Sequence, residues 1–198
     1  MKNLIYLSLL ALVVSACGVN KQFKQTKAFE KCKYEIKSAD SLYLANVNVL
    51  ETFKSGNFDI VKSPRLVLAL LRKNVPLEGN INLEIKNPTT DLAAIRQFEY
   101  KLLIKDQEIA NGFVDQTISV PPNGGQTIVP IKINSNIYGF LSDSGTQQAI
   151  LAFFDNNSGN KKSVLTIKIR PTIGLGNKQI KFPGYITINK EITRGILL

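Results

Sequence analysis

The chain has 198 residues, enough for one domain with a substantial core and too few for two. Its apolar content of 44% and charged content of 20% are those of an ordinary globular protein, which excludes a disordered or fibrous chain. The formal net charge is +10 and the pI ≈ 9.6, which points to anionic neighbours, and the absence of histidine removes Ser/His/Asp triads, Cys/His dyads and His-ligated metal sites.

Lys2 precedes an apolar run from Leu4 to Val14, interrupted only by Tyr6 and Ser8. The run is about eleven residues long, against roughly 20 for a helix that crosses a bilayer. Basic start, short apolar middle and the small residues Ser15 and Ala16 describe a secretory signal peptide, so residues 1–16 are read as removed. The ending Val14-Ser15-Ala16-Cys17 resembles the lipobox of bacterial lipoproteins. That resemblance implies Cys17 as the lipid attachment site and the mature N-terminus; a plain secretory signal is the alternative. Two or three acyl chains anchor stably, whereas one binds only marginally. The expected location is the cell envelope, as a membrane-anchored lipoprotein of the outer membrane, on its periplasmic or external face.

With Cys17 alkylated, Cys32 has no intramolecular partner, and it is read as a small buried hydrophobe rather than an exposed thiol. Residues 17–32 read as a lipidated basic tether: Lys21, Lys24, Lys27 and Lys31 recur every three or four positions, with Phe23 and Phe29 between them. Each lysine beside an anchor adds about 1 kcal/mol of attraction to anionic headgroups; a merely solvated linker is the other reading. Export argues against nucleic acid as a partner, and no protein partner is indicated.

From residue 33 onward, period-2 alternation dominates and predicts strands. Tyr34 and Ile36 alternate with charges. Leu42 and Leu44 then fall in one phase and Val47 and Val49 in the other, which suggests a bulge near Ala45. The stretch "SPRLVLALLRKN" interrupts as a helix, with Ser63 as N-cap and Pro64 at its first position. Leu66, Val67, Leu70 and Leu71 form its apolar face, and Asn74 ends it. Strands follow at Ile81–Ile85, at Phe98–Ile104 and over 112–120, 127–133, 149–154, 164–170 and 185–189, with a helical turn at 136–141. The turn segments "NPTTD", "KDQE", "PPNGG" and "DNNSGNKK" separate them. Many short strands at near-regular spacing predict an all-β antiparallel sandwich of immunoglobulin or fibronectin type with one short packed helix.

Residues 75–133 resemble the late embryogenesis abundant (LEA) type 2 domain, also called the water-stress and hypersensitive-response domain. The resemblance rests on Asn87-Pro88, on Tyr100 with Leu102, on Gly112, which inside an apolar alternation suggests a bulge or a close backbone approach, and on the turn Pro121–Gly125. It implies a sandwich over 33–198 and a non-catalytic structural, stress-protective or binding role, with 171–198 as extra strands.

No residue pattern indicates an enzyme, a cofactor or a metal. "DNNSGN" at 155–160 lacks the Gly and Glu of a calcium loop, and "IGLGN" at 173–177 lacks the third Gly of a dinucleotide fingerprint. Both read as hairpin turns. Glu78, Glu84, Glu99, Asp106, Glu108 and Asp115 read as strand faces and ends rather than as a glycosidase pair. The aromatics Phe98, Tyr100, Phe113, Tyr138, Phe140, Phe153 and Phe154 read as core, or alternatively as the lining of an apolar ligand groove between the sheets.

Overall fold

The cleanest alternation in the sequence, Ile81, Leu83 and Ile85, lies in β3 (Pro76–Lys86), and all three side chains are buried. The structure is a computed structural model and describes residues 21–49, 51, 63–142, 163–175 and 178–192. β3 is flanked by β1 (Lys33–Leu44) and β8 (Gln126–Asn136), with β2 (Val47–Asn48) beyond β1, all antiparallel. The second sheet runs β10 (Lys178–Lys181), β9 (Ser163–Leu175), β5 (Gln97–Ile104), β6 (Gln107–Val114), and β11 (Ile186–Ile192) also pairs with β9. A small ribbon joins β4 (Ala93–Ile95) to β7 (Ile118–Val120). Ile81, Leu83, Ile85, Val129 and Ile131 from one sheet and Phe98, Tyr100, Ile167 and Ile169 from the other belong to one buried core. The chain is an all-β antiparallel sandwich.

Several expectations are corrected in detail. The phase change after Leu44 is a hairpin and not a bulge: Leu44 pairs with Val47 across Ala45 and Asn46, whose φ values are 48° and 61°. Two positive φ values are what a tight primed turn needs to match the strand twist. The bulges lie inside β1 instead, where register shifts fall between Ile36 and Ser38 and between Asp40 and Tyr43. They keep Ile36, Ala39, Leu42 and Leu44 turned inward although "KSADS" carries no alternation. The expected strand over 112–120 is broken, because β6 ends at Val114 and β7 leaves to pair with β4. The "KDQE" turn is a hairpin in which Ile104 pairs with Gln107 across Lys105 and Asp106.

The helix α2 (Pro64–Leu71) starts where proline predicts, but the Ser63 hydroxyl makes no capping bond. Its inward face is Leu66 and Ala69 with Leu70 half-buried, while Val67, Leu68 and Leu71 are exposed. At its end, Lys73 N–H donates to Leu70 O and Asn74 N–H to Ala69 O, both at 3.0 Å, with Lys73 at φ 53°. That is a Schellman cap built on a lysine rather than a glycine. The expected turn at 136–141 is α3 (Tyr138–Ser142).

The C-terminal strands β10 and β11 lie in tandem along one edge of β9. Pro171 sits at the gap between them, where its carbonyl accepts from Phe182 N–H at 2.8 Å. A strand residue's N–H and C=O point to the same side, so the amide that proline lacks would face this gap, where no ladder bond is lost. The expected strand at 149–154 and the turn at 155–160 lie outside the described residues, as do Phe153 and Phe154.

Candidate functional site

Residues 21–30 form a helix, α1, in front of β1. At 100° per residue, Gln22, Gln25, Thr26 and Phe29 share one arc and Lys24, Lys27 and Lys31 the opposite one. Burial follows that division. Phe29 is 0% exposed and Thr26 4% exposed, whereas Lys24, Lys27 and Lys31 are all exposed; the small Ala28, off the core arc, is buried as well. Phe29 meets the Tyr34 ring edge-on at 5.7 Å, and Tyr34 Oη donates to Phe29 O. Burial, with Cys32 and Glu30 adding to it, raises the Tyr34 pKa far above the ordinary phenol. Residues 21–32 therefore do not form a free tether, because they contribute side chains to the core. Phe23 stays on the outer face, 53% exposed, with the Lys27 ammonium 4.9 Å from its ring centroid. Cys17 lies outside the described residues.

Cys32 is buried, as expected, and its thiol donates to Ala28 O at 3.4 Å. Burial pushes its pKa up to about 11, which keeps it an unreactive thiol at neutral pH.

Between α1 and the β4–β7 ribbon lies a cleft of ≈ 320 Å³. Its polar lining comes from Gln22, Gln25 and Thr26 of α1, Arg96 after β4, Thr117 before β7 and Thr172 of β9. Gln22 Oε1 is shut away from solvent and has no hydrogen-bond partner, which makes it the orphan among the buried side-chain polar atoms of the described residues. Such an atom costs about 1–3 kcal/mol when left unmet. Arg96 is exposed and forms no ion pair with any described residue. Sequence reasoning missed this cleft, since no motif links positions 22, 96, 117 and 172.

The residues carrying the LEA resemblance hold the framework. Asn87 is 0% exposed and uses every polar atom it has. Its amide donates to Asp91 O at 2.8 Å and Val120 O at 3.1 Å. Its side-chain oxygen accepts from Thr89 N–H and Oγ1, and its backbone bonds Gly124 and Gly125 of the "PPNGG" turn. Tyr100 stands opposite Gly112 and donates from Oη to Lys132 O at 2.5 Å, which ties the two sheets together. A Cβ on Gly112 would come within 2.5–2.7 Å of the Tyr100 ring and hydroxyl. The close approach expected at Gly112 is thus real, and the bulge lies instead at Ile109, where the β5–β6 register shifts.

Among the described residues, the acidic side chains singled out in the sequence are engaged by cations or exposed rather than paired with one another. Glu99 is engaged by Arg170 at 2.5 Å and by Lys181, and these contacts, Lys181 first, hold its carboxyl below the usual range. Glu108 is lowered likewise by Lys101 at 2.8 Å and by Asn111. Glu84 pairs with Lys37 at 3.3 Å, and Glu78, Asp106 and Asp115 are exposed. Among the described residues, no three acidic or cysteine side chains gather as a metal site. No described helix is long and apolar enough to cross a membrane. Phe98 and Tyr100 are buried core, Tyr138 and Phe140 are partly buried against it, and Phe113 is 49% exposed on the outside.

No family model matches the chain, and no curated protein does. Solved structures similar to it include a protein from Archaeoglobus fulgidus, at 16% identity over 60% of this chain and 85% of that one, with TM-score 0.34. Another is AT1g01470 from Arabidopsis thaliana, at 17% identity over 59% and 70%, with TM-score 0.36. A third is a candidate LEA protein, At2g46140.1, at 18% identity over 63% and 66%, with TM-score 0.35. Nothing about activity follows from similarities at this level.

Proposed function

We propose that this chain is a lipid-anchored, non-catalytic module of the cell envelope, a LEA-type-2-like sandwich that binds or protects its surroundings. In this reading Cys17 carries the acyl chains and the lysine face of α1 rests on anionic headgroups. The observation that carries it is the join between Val14-Ser15-Ala16-Cys17 and α1. A lipobox-like ending runs within a few residues into a helix whose core face is clamped and whose lysines all face out. A helix held this way presents Lys24, Lys27 and Lys31 as one fixed patch beside the anchor, where polybasic attraction adds to acyl insertion. The non-catalytic part is supported by the ion pairs that engage Glu99 and Glu108 and by the absence of histidine.

Of the aromatics expected to line an apolar groove in the alternative reading, Phe98 and Tyr100 are buried core and Phe113 is exposed, while Phe153 and Phe154 lie outside the described residues. Labelling cells with a radioactive fatty acid tests the anchor. Label is expected on the wild-type chain and absent from Cys17→Ala, and equal label on both would refute the anchor.

A further inference from the structure

The helix α2 is apolar on both of its faces. Leu66 to Leu71 are apolar without a break, and a helix that is hydrophobic all round is ordinarily covered. Leu66 and Ala69 face the core, with Leu70 half-buried. At 100° per residue, Pro64, Leu68 and Leu71 fall within about 60° of one another on the opposite side, with Val67 beside them. All four are exposed, Leu71 by 75% and Leu68 by 49%, so this ridge points to solvent. Single exposed hydrophobics are ordinary on a surface, but a row of them on one rigid element marks a contact. Arg65 and Arg72 lie along the other flank of the ridge, within about 60° of Leu68, and both are exposed. The sequence from 60 to 77 holds Lys62, Arg65, Arg72 and Lys73 and no acidic residue. One ridge of an eight-residue helix falls well short of the about 800 Å² that a stable protein partner buries on each side. A bilayer takes single aliphatic side chains without a complementary shape, and anionic headgroups answer the arginines.

We infer that the outer ridge of α2 docks on the surface of an anionic bilayer, with Leu68 and Leu71 entering the acyl boundary and Arg65 and Arg72 meeting headgroups. The strand registers put α1 and α2 at opposite ends of the sandwich: Lys33, which follows α1, pairs with Lys86, and Leu44 pairs with Leu77, which follows α2. This contact is therefore separate from the lysine face of α1 and does not rest on the acyl anchor. The chain has no tryptophan, so a single introduced indole reads the contact alone. Full-length protein carrying Leu71→Trp is mixed with phosphatidylglycerol vesicles, and separately with phosphatidylcholine vesicles, each containing brominated acyl chains. A blue shift and quenching of the indole are expected with phosphatidylglycerol, and Arg65→Gln with Arg72→Gln should weaken the docking about tenfold. Phe113→Trp, at a position 49% exposed elsewhere on the sandwich, should show neither. No quenching, quenching equal on the two lipids, or quenching equal for the two indoles would overturn the site. Two measurements on the Leu68→Gln, Leu71→Gln double variant test the other occupants. A dimer in sedimentation that the double variant abolishes would overturn the proposal in favour of a second copy. A lower melting temperature of the double variant without lipid would overturn it in favour of cover by the chain itself. These readouts hold whether or not Cys17 is acylated, so the anchor and this contact fail separately.

Discussion

Asn87 is the residue where sequence and fold meet most tightly. Its amide bridges two carbonyls, Asp91 O and Val120 O, and its oxygen holds the Thr89 amide, all at a position with no solvent exposure. Asn87→Ala leaves those groups unmet and is expected to lower stability by about 3 kcal/mol in a urea melt. Asn87→Asp should lower it further at neutral pH, because it sets an acceptor-only oxygen against two carbonyl oxygens. Equal, small effects of both would contradict the hub. Gly112 and Tyr100 form a second unit: Gly112→Ala meets the ring and should cost about 2 kcal/mol, as overpacking does. In a Tyr100→Ala background the same substitution should cost almost nothing, and a double-mutant cycle that finds simple additivity would show the close approach to be unimportant. The Asn-Pro turn and the Gly112 contact were readable in the sequence because each residue type has few physical uses. Gln22 was not, because an amide's burial depends on neighbours some hundred residues away.

At the scale of elements, the strands with strict alternation were legible, and those that bend were not. β1 hides its inward set behind two bulges, and the break between β6 and β7 follows from which partner each strand meets. The helix α1 was legible in principle. Lys24, Lys27 and Lys31 with Ala28 and Phe29 follow a helical period, but the core face uses Thr26 and a glutamine, so hydropathy alone marks it poorly. The Schellman cap of α2 gives a direct prediction. Lys73 holds φ 53°, a conformation that favours glycine, so Lys73→Gly should stabilise the fold by about 0.5–1 kcal/mol. A calorimetric melting temperature that falls would contradict this cap.

For the whole molecule, charge couples the fold to pH. Glu99 is held below the usual carboxylate range by Lys181 and Arg170, and Glu108 by Lys101 and Asn111. A depressed folded pKa contributes stability above the unfolded pKa that is lost as pH falls through the folded one. The melting temperature should therefore drop from about pH 5 downward, and less steeply in Glu99→Gln. An identical slope in the variant would show that solvent screening cancels the Glu99 contacts.

The central claim is that the basic face of α1 sits beside a lipid. Its most direct test is the mass of the N-terminal peptide of the full-length protein purified from the envelope. The account predicts a mature chain beginning at Cys17 and carrying a diacylglyceryl group with further acylation. An unmodified Cys17, or a chain that begins elsewhere, would contradict it.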